Sequence, residues 1–360
     1  MKNEPTVTAA APDGGRVPPG DDTPQGGADP QGGDHAPGGS NPRGEGARAG
    51  ESGAQVVGES GPGGIGGEFR SGFVAVVGRP NVGKSTLTNA LVGEKVAITS
   101  NRPETTRRQI RGIVHRDGYQ VVLVDTPGLH RPRTLLGERL NDMVRESLAD
   151  VDLVVVCLPA DQAIGPGDRF LLNALPSRLA KAAAVTKTDR VQRPALMEKL
   201  AEVDALADWR AVVPVAAGGR HTGSDNGPGV EELRAVLGAA LPMGPPWYPP
   251  TETTDEPTEV RIAELVREAV LEQVRDELPH SVAVLVDEFE LPKIHISLYV
   301  ERDSQKGIVI GRRGARLKAV GSAARPQIEA LVGRKVFLEI HVKVAKEWQR
   351  DPKALGRLGF

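Results

Sequence analysis

The chain has 360 residues, enough for two or three cores, and 45 Lys and Arg nearly cancel 47 Asp and Glu to leave a formal net charge of -2. A single cysteine, Cys157, excludes an internal disulfide framework and fits a reducing, cytosolic setting, with the thiol as a small buried hydrophobe. No apolar run approaches the ~20 residues of a membrane helix, and the N-terminus lacks the apolar core of a secretory signal.

Residues 1–70 are rich in Gly, Pro, Asp and Glu and almost devoid of aliphatic side chains. They cannot bury enough apolar surface to offset ordering entropy, so a disordered tail is predicted. From Ser71 the texture changes. "FVAVVG", "YQVVLVDTPG", "DLVVVCLPA" and "KAAAVTKTD" read as buried strands that end in polar loops. "KSTLTNALVG", "PGDRFLLNALPSRLA" and "PGVEELRAVLGAAL" read as the helices between them. Strands alternating with helices predict an α/β domain over 71–245, a mostly parallel sheet with helices on both faces and ligands at the strands' carboxyl ends. Residues 246–258 read as a Pro-rich linker. Over 259–360 the order α-β-β-α-α-β predicts a separate α+β domain.

"GRPNVGKS" places Gly78, Arg79, Pro80, Asn81, Val82, Gly83, Lys84 and Ser85 between a strand and a helix, the context a phosphate loop requires. Backbone N–H groups there curl around phosphates at the positive end of the helix, which continues through Thr86. Lys84 is suited to β/γ-phosphate charge and Ser85 to Mg²⁺. Asp125, Thr126, Pro127 and Gly128 form "DTPG", with Asp125 on the metal side and the Gly128 N–H facing a γ-phosphate. Between the two motifs, "SNRPETTRRQIRG" reads as a first switch loop, with Thr105 or Thr106 closing on Mg²⁺.

Phosphate chemistry does not select the base; Asp189 does. In "TKTD" (Thr186, Lys187, Thr188, Asp189) the carboxylate accepts the guanine N1–H and amine, and the Lys187 stem lies along the base. In the later "PVAAGGR", beside Ala216, the Ala217 N–H is placed for the guanine O6.

These motifs, followed by "GIVIGRRG" and the ending "VKVAKEWQRDPKALGRLGF", resemble the bacterial Era GTPase family, a G domain followed by a type II KH domain. The similarity runs from Ser71 to Phe360. It implies a monomeric GTP-binding and GTP-hydrolysing protein that binds 16S rRNA near its 3′ end and acts in 30S subunit assembly and 16S rRNA processing. It also implies a cytoplasmic location, with peripheral membrane association in some members. The family usually carries Asn at position 186 and commonly Ser at 216. Thr186 offers fewer hydrogen bonds, each worth roughly 0.5–1.5 kcal/mol, so somewhat weaker nucleotide binding is expected.

Leu129, where Ras-like enzymes carry a water-orienting Gln, implies slow intrinsic turnover. Asn81 matches a residue that related GTPases use to bind K⁺, which would stabilise charge between the β- and γ-phosphates; with Lys84, Asp125 and Gly128 it completes the expected catalytic group. In the second glycine loop, Gly311, Arg312, Arg313 and Gly314 match the KH GXXG clamp for single-stranded RNA. Arg316 and Lys318 are expected to join the arginines on phosphates, and Ile308, Val309 and Ile310 to line a base groove. From Lys293 onward fifteen Lys and Arg face six Asp and Glu, a basic surplus hidden in the neutral total. An RNA-binding factor with a vestigial G domain is the competing reading, disfavoured by intact Lys84, Ser85 and Asp125. A tRNA-modifying GTPase is disfavoured by the missing folate-binding domain and cysteine motif, and the tandem-domain ribosome GTPases by the single G domain.

Overall fold

The computed structural model describes residues 69–100, 102, 105–128, 134–218, 227–274 and 281–360. Of the tail expected over 1–70, residues 1–68 lie outside the described residues, as do Leu129 and parts of the first switch segment, while Arg70 already begins the first strand.

Strands β1 (Arg70–Val77), β2 (Ile110–Arg116), β3 (Tyr119–Asp125), β4 (Leu153–Pro159), β5 (Ala180–Thr186) and β6 (Val212–Pro214) form one sheet in the order β2-β3-β1-β4-β5-β6. All neighbours are parallel except β2 and β3. Side chains alternate across a strand, so β1 serves two cores. Val74 and Val76 face α1 (Lys84–Val92) and α5 (Val230–Ala240) through Leu87, Leu91, Leu233 and Leu237. Ala75 and Val77 face α2 (Leu135–Ser147), α3 (Pro166–Ala174) and α4 (Arg193–Asp204) through Val144, Leu171 and Val203. Each fully buried aliphatic side chain contributes about 1.5–3 kcal/mol, and both faces are covered in this way. Cys157 on β4 belongs to the first core, and burial pushes its thiol up to about 12, which leaves it a structural residue.

The Pro-rich stretch after α5 does more than connect. The Ile113 N–H of edge strand β2 donates to the Thr253 carbonyl at 2.8 Å, so the stretch covers that edge. Gln120 fixes it further: Oε1 accepts the Trp247 N–H at 2.7 Å and Nε2 donates to the Tyr248 carbonyl at 2.8 Å.

The second half builds a three-stranded sheet from β7 (Ala283–Glu290), β8 (Lys293–Val300) and β9 (Phe337–Val344), with β7 and β8 antiparallel and β8 and β9 parallel. One face packs on α6 (Thr258–Gln273), α7 (Asp303–Ile310) and α8 (Ala315–Val332) around Val266, Ile296, Leu298, Val309, Val320 and Ile328. The final helix, α9 (Pro352–Arg357), adds to the expected element order. Its Leu355 joins Trp348, Ala283 and the α2 residues Leu136 and Leu140 in a core shared by both halves.

Polar contacts fasten the first switch segment to the same half. Arg107, 1% exposed, donates to the Val282 carbonyl at 2.7 Å and lies over the Trp348 ring. Arg267 of α6 donates to the Thr105 carbonyl, and Glu268 beside it accepts the Thr99 N–H at 2.9 Å and pairs with Lys95. No described helix is long and apolar enough to cross a membrane.

Candidate nucleotide and RNA sites

The phosphate loop leaves β1 at Gly78 and enters α1 at Lys84, so the N-terminal N–H groups of α1 point into the loop. Asn81 sits exposed at the turn with φ 62°, a left-handed geometry that Asn tolerates. Long-range bonds hold the loop. Arg79 Nε donates to Asp168 Oδ1 at 2.7 Å, and Asp168 Oδ2 accepts the Gly165 N–H at the start of α3. The Thr186 hydroxyl donates to the Val82 carbonyl at 2.5 Å, and Lys187 Nζ donates to the Asn81 carbonyl at 2.7 Å. Thr186 thus tethers the loop after β5 to the phosphate loop. Lys84 Nζ donates to the carbonyls of Gly78 and Arg79 at 3.2 and 3.1 Å, and burial lowers its pKa against the opposing charge of Asp125.

Opposite Lys84, Asp125 ends β3 fully buried. Its Oδ2 accepts from Ser85 at 2.7 Å and from Thr106 at 3.4 Å, while Ser85 Oγ and Thr106 Oγ1 are 2.8 Å apart. Its Oδ1 is buried without a hydrogen-bond partner. Burial raises the carboxyl to about 6 despite Lys84, Ser85 and Thr106. Three hard oxygens and one orphaned carboxylate oxygen are a donor set that fits Mg²⁺. Thr105 instead bonds to Ser100 Oγ and the Arg102 carbonyl, both at 2.7 Å, so of the two threonines it is Thr106 that joins Ser85 and Asp125. Thr126 turns into the core, donating to the Val76 carbonyl at 2.9 Å. Gly128 packs on Pro80, where a Cβ would lie 2.9 Å from the Pro80 nitrogen, so a side chain there would collide with the loop. Pro127 lies between them in the chain.

A cleft of about 840 Å³ runs from this loop past Thr86, Thr186, Lys187, Asp189 and Ala217. Asp189 is exposed in a short 3-10 turn over Thr188–Arg190, Ala216 is buried with its N–H on the Pro228 carbonyl, and Ala217 lines the wall. Leu271 and Glu272 of α6 complete the far side. Sequence reading assigned no part of the nucleotide site to α6, because a contact between distant elements leaves no local pattern.

In the second half, α7 ends at Gly311 (φ 71°, ψ 175°), and Arg312–Gly314 form a 3-10 turn before α8. A Cβ on Gly311 would lie 2.8 Å from that of Arg316, and its φ is strained for any side chain, so glycine is required. Arg312, Arg313 and Lys318 are exposed, while Arg316 donates back to the Ile308 carbonyl across the turn. Ile308 is 45% exposed and Ile310 partly buried beside the loop, but Val309 is 0% exposed in the core. The expected apolar groove therefore loses Val309. Neighbours in a helix point about 100° apart, so three consecutive residues cannot share a groove.

Residues 73–187 match the family model described as a 50S ribosome-binding GTPase, and residues 277–349 match the KH domain model. A "GTPase Era" from Mycobacterium avium is 60% identical over 304 residues, spanning 81% of this chain and 99% of that protein. The chain belongs to the Era GTPase family. An Era from Mycobacterium tuberculosis is 59% identical over 305 residues, again 81% of this chain and 99% of the relative. Two solved Era structures, each 31% identical and covering 81% of this chain and 99% of theirs, superpose with TM-scores of 0.76 and 0.74. The first is a variant of Aquifex aeolicus Era bound to GDP.AlF4-, and the second is an Era in complex with MgGDPNP and nucleotides 1506-1542 of 16S ribosomal RNA. As an Era GTPase the chain binds guanine nucleotide and hydrolyses GTP, on a P-loop domain joined to a KH domain.

Proposed function

We propose that this Era uses its GTP state to time its hold on the 3′ region of 16S rRNA during assembly of the 30S subunit and processing of that RNA. The attachment of the first switch segment to the RNA-binding half carries this reading. The Arg107 and Arg267 bonds tie the two ends of Thr105-Thr106-Arg107 to Val282, which precedes β7, and to α6. A change at the γ-phosphate that moves Thr106 must then strain or release those contacts.

In this reading Gly78 to Thr86 cradle the phosphates, with Lys84 on the β/γ-oxygens, and the Gly128 N–H meets the γ-phosphate. Ser85 and Thr106 would hold Mg²⁺ directly and Asp125 through water, and the ion would neutralise charge developing on the phosphate oxygens. Asp189 reads the base, with Lys187 along its plane and Ala217 at its O6. Asn81 serves a K⁺ ion beside the phosphates; equal turnover in K⁺ and Na⁺ would exclude that role. On the KH half, Gly311 to Gly314 clamp the RNA backbone, Arg312, Arg313, Arg316 and Lys318 neutralise phosphate, and Ile308 and Ile310 receive bases. The protein is cytoplasmic and monomeric in this reading, with peripheral contact at the inner membrane face as the family resemblance implies.

The test is in-cell ultraviolet crosslinking with sequencing of the bound RNA, beside a Gly311→Asp/Gly314→Asp double variant. Crosslinks concentrated at the 3′ end of 16S rRNA and lost in the variant are expected. Crosslinks scattered over tRNA or messenger RNA would overturn the assigned partner.

A further inference from the structure

The face of the KH sheet turned away from its helices carries a side-chain cluster that neither the nucleotide nor the RNA loop uses. In β8 the residues Ile294, Ile296, Leu298 and Val300 point into the helix-covered core, which turns His295 to the other face. The same alternation in β9 buries Val342 against that core and turns out Glu339 and His341.

Strand register then assembles the group. His295 stands opposite Glu339 in the parallel β8–β9 pair and opposite Glu288 in the antiparallel β7–β8 pair, while His341 follows Glu339 on the same face of β9. His341 Nε2 is 2.9 Å from Glu339 Oε1, and His295 Nδ1 is 3.7 Å from Glu339 Oε2. One donor atom from each of His295, Glu339 and His341 falls within 4.8 Å of the other two.

We propose that His295, Glu339 and His341 form a binding site for a divalent transition metal of the Zn²⁺ class. Two imidazole nitrogens and one carboxylate oxygen select Zn²⁺ over Mg²⁺ or Ca²⁺, which take oxygen donors. Tetrahedral bonds of about 2.0–2.1 Å set ligand atoms roughly 3.3–3.5 Å apart, against 2.9 Å from His341 Nε2 to Glu339 Oε1 and 3.7 Å from His295 Nδ1 to the other oxygen, Oε2. Rotation of the Glu339 and His295 side chains would have to bring one carboxylate oxygen to both imidazoles.

Glu288 supports the arrangement. Its Oε2 is 3.6 Å from His295 Nε2, on the opposite side of the ring from Glu339. Closing that gap would let His295 give its Nε2–H to Glu288 and keep the Nδ1 lone pair for the metal, the carboxylate–histidine–metal relation that orients ligands in such sites. Lys293 Nζ, 2.8 Å from Glu339 Oε2, competes for one carboxylate oxygen and leaves Oε1 facing His341. Three protein ligands leave a coordination position for water or for a donor from outside the chain.

The experiment is calorimetric titration of ZnCl₂ into the full chain with GDP and Mg²⁺ saturating, so that the nucleotide-site oxygens are already engaged. Absorption of bound Co²⁺ is recorded in parallel as a readout of nitrogen ligation. One saturable equivalent is expected, weakened at least about tenfold in His295→Ala and in His341→Ala, with GTP turnover unchanged. Lys293→Met should tighten binding by removing the competing cation. Should an alanine variant fold poorly, Glu339→Gln, almost the same shape, carries the same expectation of weakening. No saturable binding to the parent chain, or parental affinity in the His295→Ala/His341→Ala double variant, would overturn the site.

Discussion

Glu268, 3% exposed on the RNA-binding half, accepts the backbone N–H of Thr99 at 2.9 Å in the segment that leads into the first switch. Its other oxygen takes Lys95. Hydrogen bonds to a charged group contribute about 1.5–3 kcal/mol, more than a surface ion pair. Glu268→Ala is therefore expected to lose stability of that order in urea unfolding, and to speed hydrogen exchange at Thr99. Glu268→Gln keeps the acceptor for Thr99 and should lose less. Unchanged exchange at Thr99 in the alanine variant would show that the clamp does not hold the switch.

Burial sets a pH dependence through Asp125. Burial lifts its folded-state carboxyl to about 6, above the ordinary aspartate value of 3.8. Between those values the folded chain binds a proton that the unfolded chain does not. The metal-free protein should thus gain stability from this group as pH falls from 7 towards 5, and lose it as pH rises through about 6. Asp125→Asn should flatten that part of the profile, measured by thermal unfolding in EDTA. On the proposed role of Asp125 at the metal, Mg²⁺ favours the ionised carboxylate, and its affinity should decline over the same acidic range.

Thr186→Asn tests the odd base-reading loop. Because the Thr186 hydroxyl already holds the Val82 carbonyl, the loop tether is present in the parent and the gain is confined to the base side. One added hydrogen bond corresponds to about 0.5–1.5 kcal/mol, or GDP binding tighter by about two- to tenfold in a fluorescent-nucleotide titration. Unchanged affinity would mean that Thr186 costs the site nothing.

Ile308 and Val309 are adjacent in α7 yet face different surroundings, and substitution separates them. Val309→Ala should cost about 1–3 kcal/mol of stability by opening the KH core, whereas Ile308→Ala should stay within about 0.5 kcal/mol. RNA affinity should respond the other way, falling in the folded Ile308→Ala protein. Equal stability losses in both would contradict the assigned faces.

These residues also show what a sequence can disclose. The loops at Gly78–Gly83, "DTPG" and Gly311–Gly314 were legible as loops between regular elements, because each sits in a few consecutive residues whose flanks have the right period. The parallel sheet was legible from long aliphatic runs such as Leu153–Leu158, which are buried on both faces. Strand β2 was not separated from the switch loop: "IRGIVHR" mixes polar and apolar residues, and it is a strand because it pairs with β3 along one edge and the Pro-rich stretch covers the other. Helix α4 was missed because its apolar residues gather weakly on one side, with only Val203 and Lys199 of its twelve residues buried. The contacts of Arg107, Arg267 and Glu268 could not be read at all, since each joins residues more than 160 positions apart.

Leu271 and Glu272 give the base cleft a wall that does not belong to the G domain. A guanine analogue carrying a short apolar arm towards Leu271 would touch both halves of the molecule at once. G domains that lack α6 would offer that arm only water, so the wall is a handle for selectivity among GTPases that share the same phosphate loop.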